Sequence, residues 1–199
     1  MRTNVVFIHG IGQTPPDFAE SWADTLRLHR SKWAVHGYYW ESIADATNRP
    51  PGEITDHVLD FAAYMVKESP LRNSVMALGR EVVKKLEQDS PTIVVAHSWG
   101  TVVAYDAFWN AFRRVKVKLL LTIGSPLWMP DVLRFMQWAA IRRPQEVARW
   151  VNVYNYIDPV GGFIRGLGVE NKTRLWFRQP HDAVKYLRTK LIRGLIGSM

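Results

Sequence analysis

Thr92-Ile93-Val94-Val95-Ala96-His97-Ser98-Trp99-Gly100-Thr101-Val102-Val103-Ala104 decides how the rest of the chain is read. Its first half is apolar and β-branched, which suits a strand covered on both faces. The run stops at His97, and a helix-compatible segment begins at Gly100. Between them stands a small-x-Ser-x-small turn, Ala96-His97-Ser98-Trp99-Gly100. Such a turn bends sharply enough to crowd its backbone, and small residues two before and two after the serine relieve the crowding. The hydroxyl of Ser98 is then presented above the sheet edge, at the positive end of the following helix. An ordinary serine N-cap would satisfy the same spacing. A second piece at the N-terminus argues for the nucleophile: Asn4-Val5-Val6-Phe7-Ile8 reads as a buried strand, and His9-Gly10-Ile11-Gly12 follows it directly.

Composition bounds the class. The 199 residues suffice for one domain with a substantial core, and 47% apolar content is that of a globular protein. There is no cysteine, so disulfides, thiolate metal sites and thiol chemistry are excluded. No signal-like segment precedes the first strand, and no apolar run approaches the ~18 residues of a membrane span. A cytoplasmic location is therefore expected. The formal charge is +8, with basic residues concentrated late: Arg113, Arg114, Lys116, Lys118, Arg142, Arg143, Lys185, Arg188, Lys190 and Arg193. Such a surface attracts anionic lipid, nucleic acid or acidic protein, whereas cations at helix C-termini offset the dipole and are otherwise solvated. No basic–aromatic recognition motif is visible, so no nucleic acid is expected as a partner.

Strand and helix patterns alternate. Strands are predicted at 4–8, 35–40, 92–96, 118–123, 150–156 and 173–178, and helices at 16–30, 54–68, 72–88, 100–113, 131–141 and 182–193. Alternation of this kind implies an α/β fold, with a mostly parallel central sheet of about six strands flanked by helices. Ligands gather beyond the carboxyl ends of such strands, where both motifs lie. Asn48-Arg49-Pro50-Pro51-Gly52 reads as a loop into a helix and not as a domain boundary. Residues 1–199 are accordingly expected to form one domain. Gly161-Gly162 and Gly166-x-Gly168 mark a flexible loop after the fifth strand.

In order along the chain, Phe7-Ile8-His9-Gly10-Ile11-Gly12, Ala96-His97-Ser98-Trp99-Gly100, Gly124-Ser125-Pro126-Leu127, Asp158-Pro159-Val160, and His181 with Tyr186 resemble the motifs of the α/β-hydrolase superfamily, in its lipase/esterase branch. The helix tail Val102-Val103-Ala104-Tyr105-Asp106 is also similar to bacterial lipase-like hydrolases related to the inositol-deacylase group. Two residues depart from the commonest pattern: Ala96 stands where Gly is usual, and Trp99 where that branch often has Leu. The resemblance implies a single α/β-hydrolase domain without a separate large cap domain. It also implies ester hydrolysis and no cofactor.

A serine needs a base to take its proton, and a histidine base needs a carboxylate to set its tautomer. The family order is serine, acid, histidine. Of His9, His29, His36, His57, His97 and His181, only His181 follows Ser98 by more than a turn. The acid has three candidates: Asp158, directly after a Trp/Val/Tyr-rich strand; Asp131, after the preceding strand's loop; and Asp182, beside the histidine. Asp158 is preferred, because Pro159 stiffens the backbone at the strand end. Asp106 reads as structural. The resemblance assigns the oxyanion hole to the backbone N–H groups of Trp99 and Ile11. His9 and His97 flank the chemistry and are read chiefly as shaping the two turns. With Gly10, Pro126, Leu127 and Trp128, they complete the expected substrate-binding set.

The expected substrate is a small-molecule or lipid ester. Trp128, Met129, Phe135, Met136 and Trp138 follow the Gly-Ser-Pro loop, as an apolar wall or as core. Either 126–145 or 41–70 is a candidate lid. The C-terminal stretch Val184–Ile196 interleaves apolar and basic residues, as does a helix on an anionic membrane surface or one that covers the sheet. The alternative to an esterase is a non-catalytic module of this fold that binds a partner or an anionic surface.

Overall fold

The computed structural model describes residues 1–11, 14–40, 64–65 and 69–198. All but Tyr64 and Met65 of the predicted helix 54–68, the 48–52 loop, Gly12 and most of the candidate lid 41–70 lie outside these residues. The described strands are β1 (Thr3–Ile8), β2 (Trp33–Tyr38), β3 (Thr92–His97), β4 (Val117–Ile123), β5 (Ile141–Arg142), β6 (Val147–Asn155), β7 (Gly166–Leu167) and β8 (Val169–Arg174). The helices are α1 (Phe18–Leu26), α2 (Pro70–Lys84), α3 (Gly100–Trp109), α4 (Pro130–Phe135), α5 (Ala183–Leu187) and α6 (Lys190–Gly197), with a 3-10 turn at Pro126–Trp128.

Six strands form one sheet in the order β2-β1-β3-β4-β6-β8, and all five pairings are parallel. The central strands are almost wholly Val, Ile, Leu and Phe because helices cover both faces. On one face, Val94, Val102, Val103, Phe108 and Trp150 pack with Val75 and Met76 of α2. On the other, Phe7, Val95 and Leu121 pack with Phe18 and Trp22 of α1 and with Tyr186, Leu187 and Ile192 of the last two helices. The chain runs from β1 to β2 on one side and then returns to place β3 on the other. The order therefore reverses at β1, and the crevice at the carboxyl ends of β1 and β3 is the switch point of the sheet.

Several elements differ from expectation, among them the helix expected over 100–113, which ends at Trp109. The last strand is β8, Val169–Arg174, and not 173–178. The amide side chain of Asn155 accepts the N–H of Trp176 and donates to its carbonyl, replacing the strand ladder just where the apolar residues begin. The helix expected over 131–141 ends at Phe135, because Gln137 turns the chain back with a φ of 56°. The helix expected over 182–193 breaks at Thr189, whose hydroxyl caps α6 by accepting the N–H of Ile192. The first helix stops at Leu26, where Arg27 takes a left-handed conformation. In the glycine-rich segment expected to be a flexible loop, Gly166–Leu167 forms a two-residue ladder with Ile141–Arg142. The C-terminal apolar residues Leu187, Ile192, Leu195 and Ile196 are buried, so this segment covers the sheet. No helix among the described residues is long and apolar enough to cross a membrane.

Asp106, in the middle of α3, is 1% exposed. Arg72 grips it from α2 with two charge-assisted hydrogen bonds of 2.7 and 2.6 Å, and Tyr64 donates to it at 3.0 Å. Removing the cation leaves a buried carboxylate with one neutral donor. Arg72→Ala is expected to destabilise the fold by about 3 kcal/mol. The urea unfolding midpoint at pH 7 checks this, with Arg80→Ala on the same helix as the surface control.

Candidate active site

Ser98 sits between β3 and α3 with a φ of +53°, a conformation that L-residues avoid without strong constraint. The constraint is visible in its neighbours. The N–H of Ser98 is tied to the carbonyl of Ile123 at 3.0 Å. Its own carbonyl accepts both the N–H and the hydroxyl of Thr101, at 3.0 and 2.7 Å. The hydroxyl of Ser125 lies 2.7 Å from that of Thr101 and accepts the N–H of Leu127. The serine turn is thereby bolted to the Gly124-Ser125-Pro126 turn after β4.

Two glycines allow the crowding. A Cβ on Gly100 would fall 2.1 Å from the carbonyl oxygen of His9, and one on Gly10 would fall 2.6 Å from the Cβ of Ser98. The turn after β1 therefore passes directly against the serine, and only glycine fits at either crossing. This brings the peptide that follows Gly10 to the same side as the N-terminus of α3.

His181 lies in the loop between β8 and α5. Its Nε2 is 2.7 Å from the Oγ of Ser98, and its Nδ1 is 2.9 and 2.8 Å from the two carboxylate oxygens of Asp158. The carboxylate can only accept, so Nδ1 carries the proton and Nε2 is left to accept from the serine hydroxyl. The side chain of Asp158 is fully buried, while that of His181 is 28% exposed. Burial by itself would push the carboxyl pKa up. Hydrogen bonds from His181, Tyr186 and the backbone N–H of Gly161 outweigh it and hold the pKa below the ordinary value. The hydroxyl of Tyr186 donates at 2.7 Å, and the N–H groups of Val160 and Gly161 donate at 2.8 and 2.9 Å.

The structure thus brings Ser98, His181 and Asp158 together in one chain of hydrogen bonds. The rival acids stand apart from it. Asp131 begins the short helix α4, and Asp182 caps α5 by accepting the N–H of Lys185. His9 is 1% exposed, stacked on Trp40 at 5.4 Å and edge-on to Phe18 at 4.9 Å, with Nδ1–H donating to the carbonyl of Gly10. His97 donates from Nε2 to the carbonyl of His181 at 2.8 Å, and so braces the imidazole-bearing loop from below. Pro126 and Leu127 are buried, whereas Trp128 is 42% exposed and donates to the carbonyl of Val160 at 2.7 Å. Trp99 is also buried, edge-on to Tyr64. Among the described residues, no group of three or more His, Asp or Glu is placed to hold a metal ion.

Sequence reasoning did not foresee the braces: Thr101 with Ser125, Asn155 with the 176–180 segment, and the contact of His97 with the carbonyl of His181. These bonds join residues 21 to 84 positions apart, most of them from side chain to backbone, and no local spacing signals them. Tyr186 was visible only as part of the resemblance.

Residues 5–195 match the Alpha/beta hydrolase family, and the chain belongs to it. Solved structures with a similar fold include a metagenomic carboxyl esterase, 12% identical, at a TM-score of 0.50 over 99% of this chain and 76% of that one. A protein of the alpha/beta superfamily of hydrolases from Xanthomonas campestris pv. campestris is 15% identical, at a TM-score of 0.49 over the whole of both chains. Acyl-protein thioesterase 2 from Zea mays is 12% identical, at a TM-score of 0.49 over 98% of this chain and 93% of that one. No curated protein matches the chain significantly.

Burial lowers the pKa of His9 from 6.5 to about 4, against the small opposing effect of its bond to Gly10. Burial, and then the nearby His181, lower that of His97 to about 3. Both rings stay neutral in the fold at pH values where the unfolded chain binds protons. Their contribution to stability is full above pH 6.5 and is lost as the pH falls through the folded values, about 4 for His9 and about 3 for His97. The urea midpoint is therefore expected to drop between pH 7 and 4.5, and to drop less steeply in His9→Asn. An equal slope in the two proteins would contradict this.

Proposed function

We propose that the protein is a serine hydrolase of carboxylic esters that works through an acyl-enzyme intermediate. Ser98 is the nucleophile, His181 the general base and then the general acid, and Asp158 the carboxylate that orients the imidazole. The observation that carries this reading is the continuous relay from the Oγ of Ser98 through both nitrogens of His181 to Asp158, with separations of 2.7 and 2.8 Å.

In this mechanism His181 Nε2 takes the proton of Ser98 as Oγ attacks the acyl carbonyl. Asp158 stabilises the imidazolium that forms without accepting its proton. The oxyanion is held by backbone N–H groups of Trp99 and Ile11. The support for Trp99 is its place at the positive end of α3. That for Ile11 is the close passage of Gly10 over Ser98. His181 then returns its proton to the leaving alkoxide. Water deprotonated by the same imidazole attacks the acyl-enzyme; the bond from the acyl carbon to Ser98 Oγ breaks, His181 returns the proton to Oγ, and the acid is freed.

The exposed side chains nearest the relay in sequence favour an apolar ester. Tyr156 and Ile157 precede Asp158, Phe163 follows it and Phe177 precedes His181, and all four are at least 40% exposed. Trp128, hydrogen-bonded to Val160, adds another ring. Exposed apolar side chains that flank the acid and the histidine in sequence support a surface that meets apolar ligand.

The test is a panel of p-nitrophenyl esters of rising acyl length. Wild type is expected to hydrolyse them and Ser98→Ala to lose the activity, while Asp158→Asn lowers kcat by about 10⁴-fold. A fluorophosphonate is expected to label wild type and not Ser98→Ala. Hydrolysis at equal rates in wild type and Ser98→Ala would overturn the assignment of the nucleophile. A folded wild type that neither labels nor turns over would favour the non-catalytic module.

A further inference from the structure

Asn155 ends β6 and is fully buried although its side chain is polar. Its amide is spent entirely on the backbone of the segment that leads to His181. Its oxygen accepts the N–H of Trp176 at 3.3 Å, and its nitrogen donates to the carbonyls of Trp176 at 2.9 Å and Pro180 at 3.2 Å. Pro180 is bonded directly to His181. The backbone of Asn155 serves the other partner. Its carbonyl accepts the N–H of Asp158 at 3.0 Å, and its N–H donates to the hydroxyl of Tyr186 at 2.8 Å. With that donor in place, the hydroxyl's one proton is directed to Asp158, 2.7 Å away.

We propose that Asn155 is the positioning residue that holds the imidazole of His181 and the carboxylate of Asp158 in register. This inference rests on the hydrolytic reading above for its effect on rate, and on the hydrogen-bond geometry alone for its effect on the pair. The segment it staples has little else to hold it. Leu175 and Phe177 on either side of Trp176 are 57% and 77% exposed, and Gln179 turns the chain with a φ of 50°. Apart from the bonds of the imidazole itself, the remaining ties among the described residues are the Trp176 ring against Tyr186, the Trp176 indole N–H and the Asp182 N–H to the carbonyl of Gln179, and His97 to the carbonyl of His181. None of them fixes Pro180. A carbonyl released there lets the imidazole swing by the ångström or so that spoils a hydrogen bond aligned at both ends.

The test compares Asn155→Ala, Asn155→Asp and Tyr186→Phe, each with Ser98 intact and in the Ser98→Ala background. Asp keeps the volume of Asn but cannot donate to two carbonyls, so it separates hydrogen bonding from packing. The low-field proton resonance between Nδ1 of His181 and Asp158 reports the pair whether or not an ester is turned over. In Asn155→Ala and Asn155→Asp it is expected to broaden or vanish. In folded protein, kcat is expected to fall by about 10²-fold with KM nearly unchanged. Tyr186→Phe keeps the ring against Trp176; it is expected to shift the resonance and lower kcat, and it carries the test if Asn155→Ala does not fold. The proposal is overturned if Asn155→Asp keeps both the wild-type resonance and the wild-type kcat, if the kcat loss merely equals the unfolded fraction, or if Tyr186→Phe changes neither readout. Absence of ester hydrolysis in wild type, with a resonance that still depends on Asn155, would remove the proposed function and leave the positioning role standing.

Discussion

Two turns of chain occupy nearly the same space at the carboxyl ends of β1 and β3. Glycine at position 100 lets the first turn of α3 lie against the carbonyl of His9, and glycine at position 10 lets the turn after β1 lie against Ser98. Neither position tolerates a Cβ without moving backbone. The parallel pairing of β1 with β3, from Asn4↔Thr92 through Ile8↔Ala96, aims both turns at one point. Everything else in the site is arranged around that crossing. The left-handed backbone of Ser98 is a strain the fold sustains because Ile123, Thr101 and Ser125 tie down the turn from the opposite side.

A buried carboxylate is costly unless enough donors surround it. Asp158 has four: His181, Tyr186 and two successive backbone N–H groups. Those donors do more than offset desolvation. The two N–H groups orient the carboxylate, Tyr186 holds one of its oxygens, and the remaining capacity is directed at Nδ1 of His181. The same relay that makes burial tolerable therefore selects the imidazole tautomer that leaves Nε2 free to accept from Ser98. Stability and the proposed chemistry draw on the same bonds, so rate and fold must be read separately in any substitution here.

Much of this was legible in the residues. Ile93–Val95 and Val5–Ile8 are runs that only doubly covered strands need, and punctuation by His97-Ser98-Trp99-Gly100 and His9-Gly10 marks where each strand ends. Asp158 and His181 were candidates because each follows a β-rich stretch and because five of the six histidines precede Ser98 or adjoin it. Other features were illegible for a common reason. The helix break at Thr189 and the early end of the helix after Pro130 turn on one residue's backbone angle or cap. The displacement of β8 turns on the side chain of Asn155, which takes over the hydrogen bonds of Trp176 from 21 residues away. The consecutive apolar residues Leu175, Trp176 and Phe177 suited a strand locally and were overruled by a tertiary contact.

By itself the sequence determined which segments are apolar, with what period, and where small or turn-forming residues interrupt them. Those are local properties, carried by side-chain size and hydrophobicity. That was enough for a parallel α/β sheet and for a short list of reactive groups. The tertiary structure alone decided which of three carboxylates meets the histidine and which nitrogen of that histidine carries the proton. It also decided which polar residues brace the pair. These outcomes depend on hydrogen bonds of 3.3 Å or less that join residues more than 20 positions apart, and such bonds leave no periodic trace in the order of amino acids.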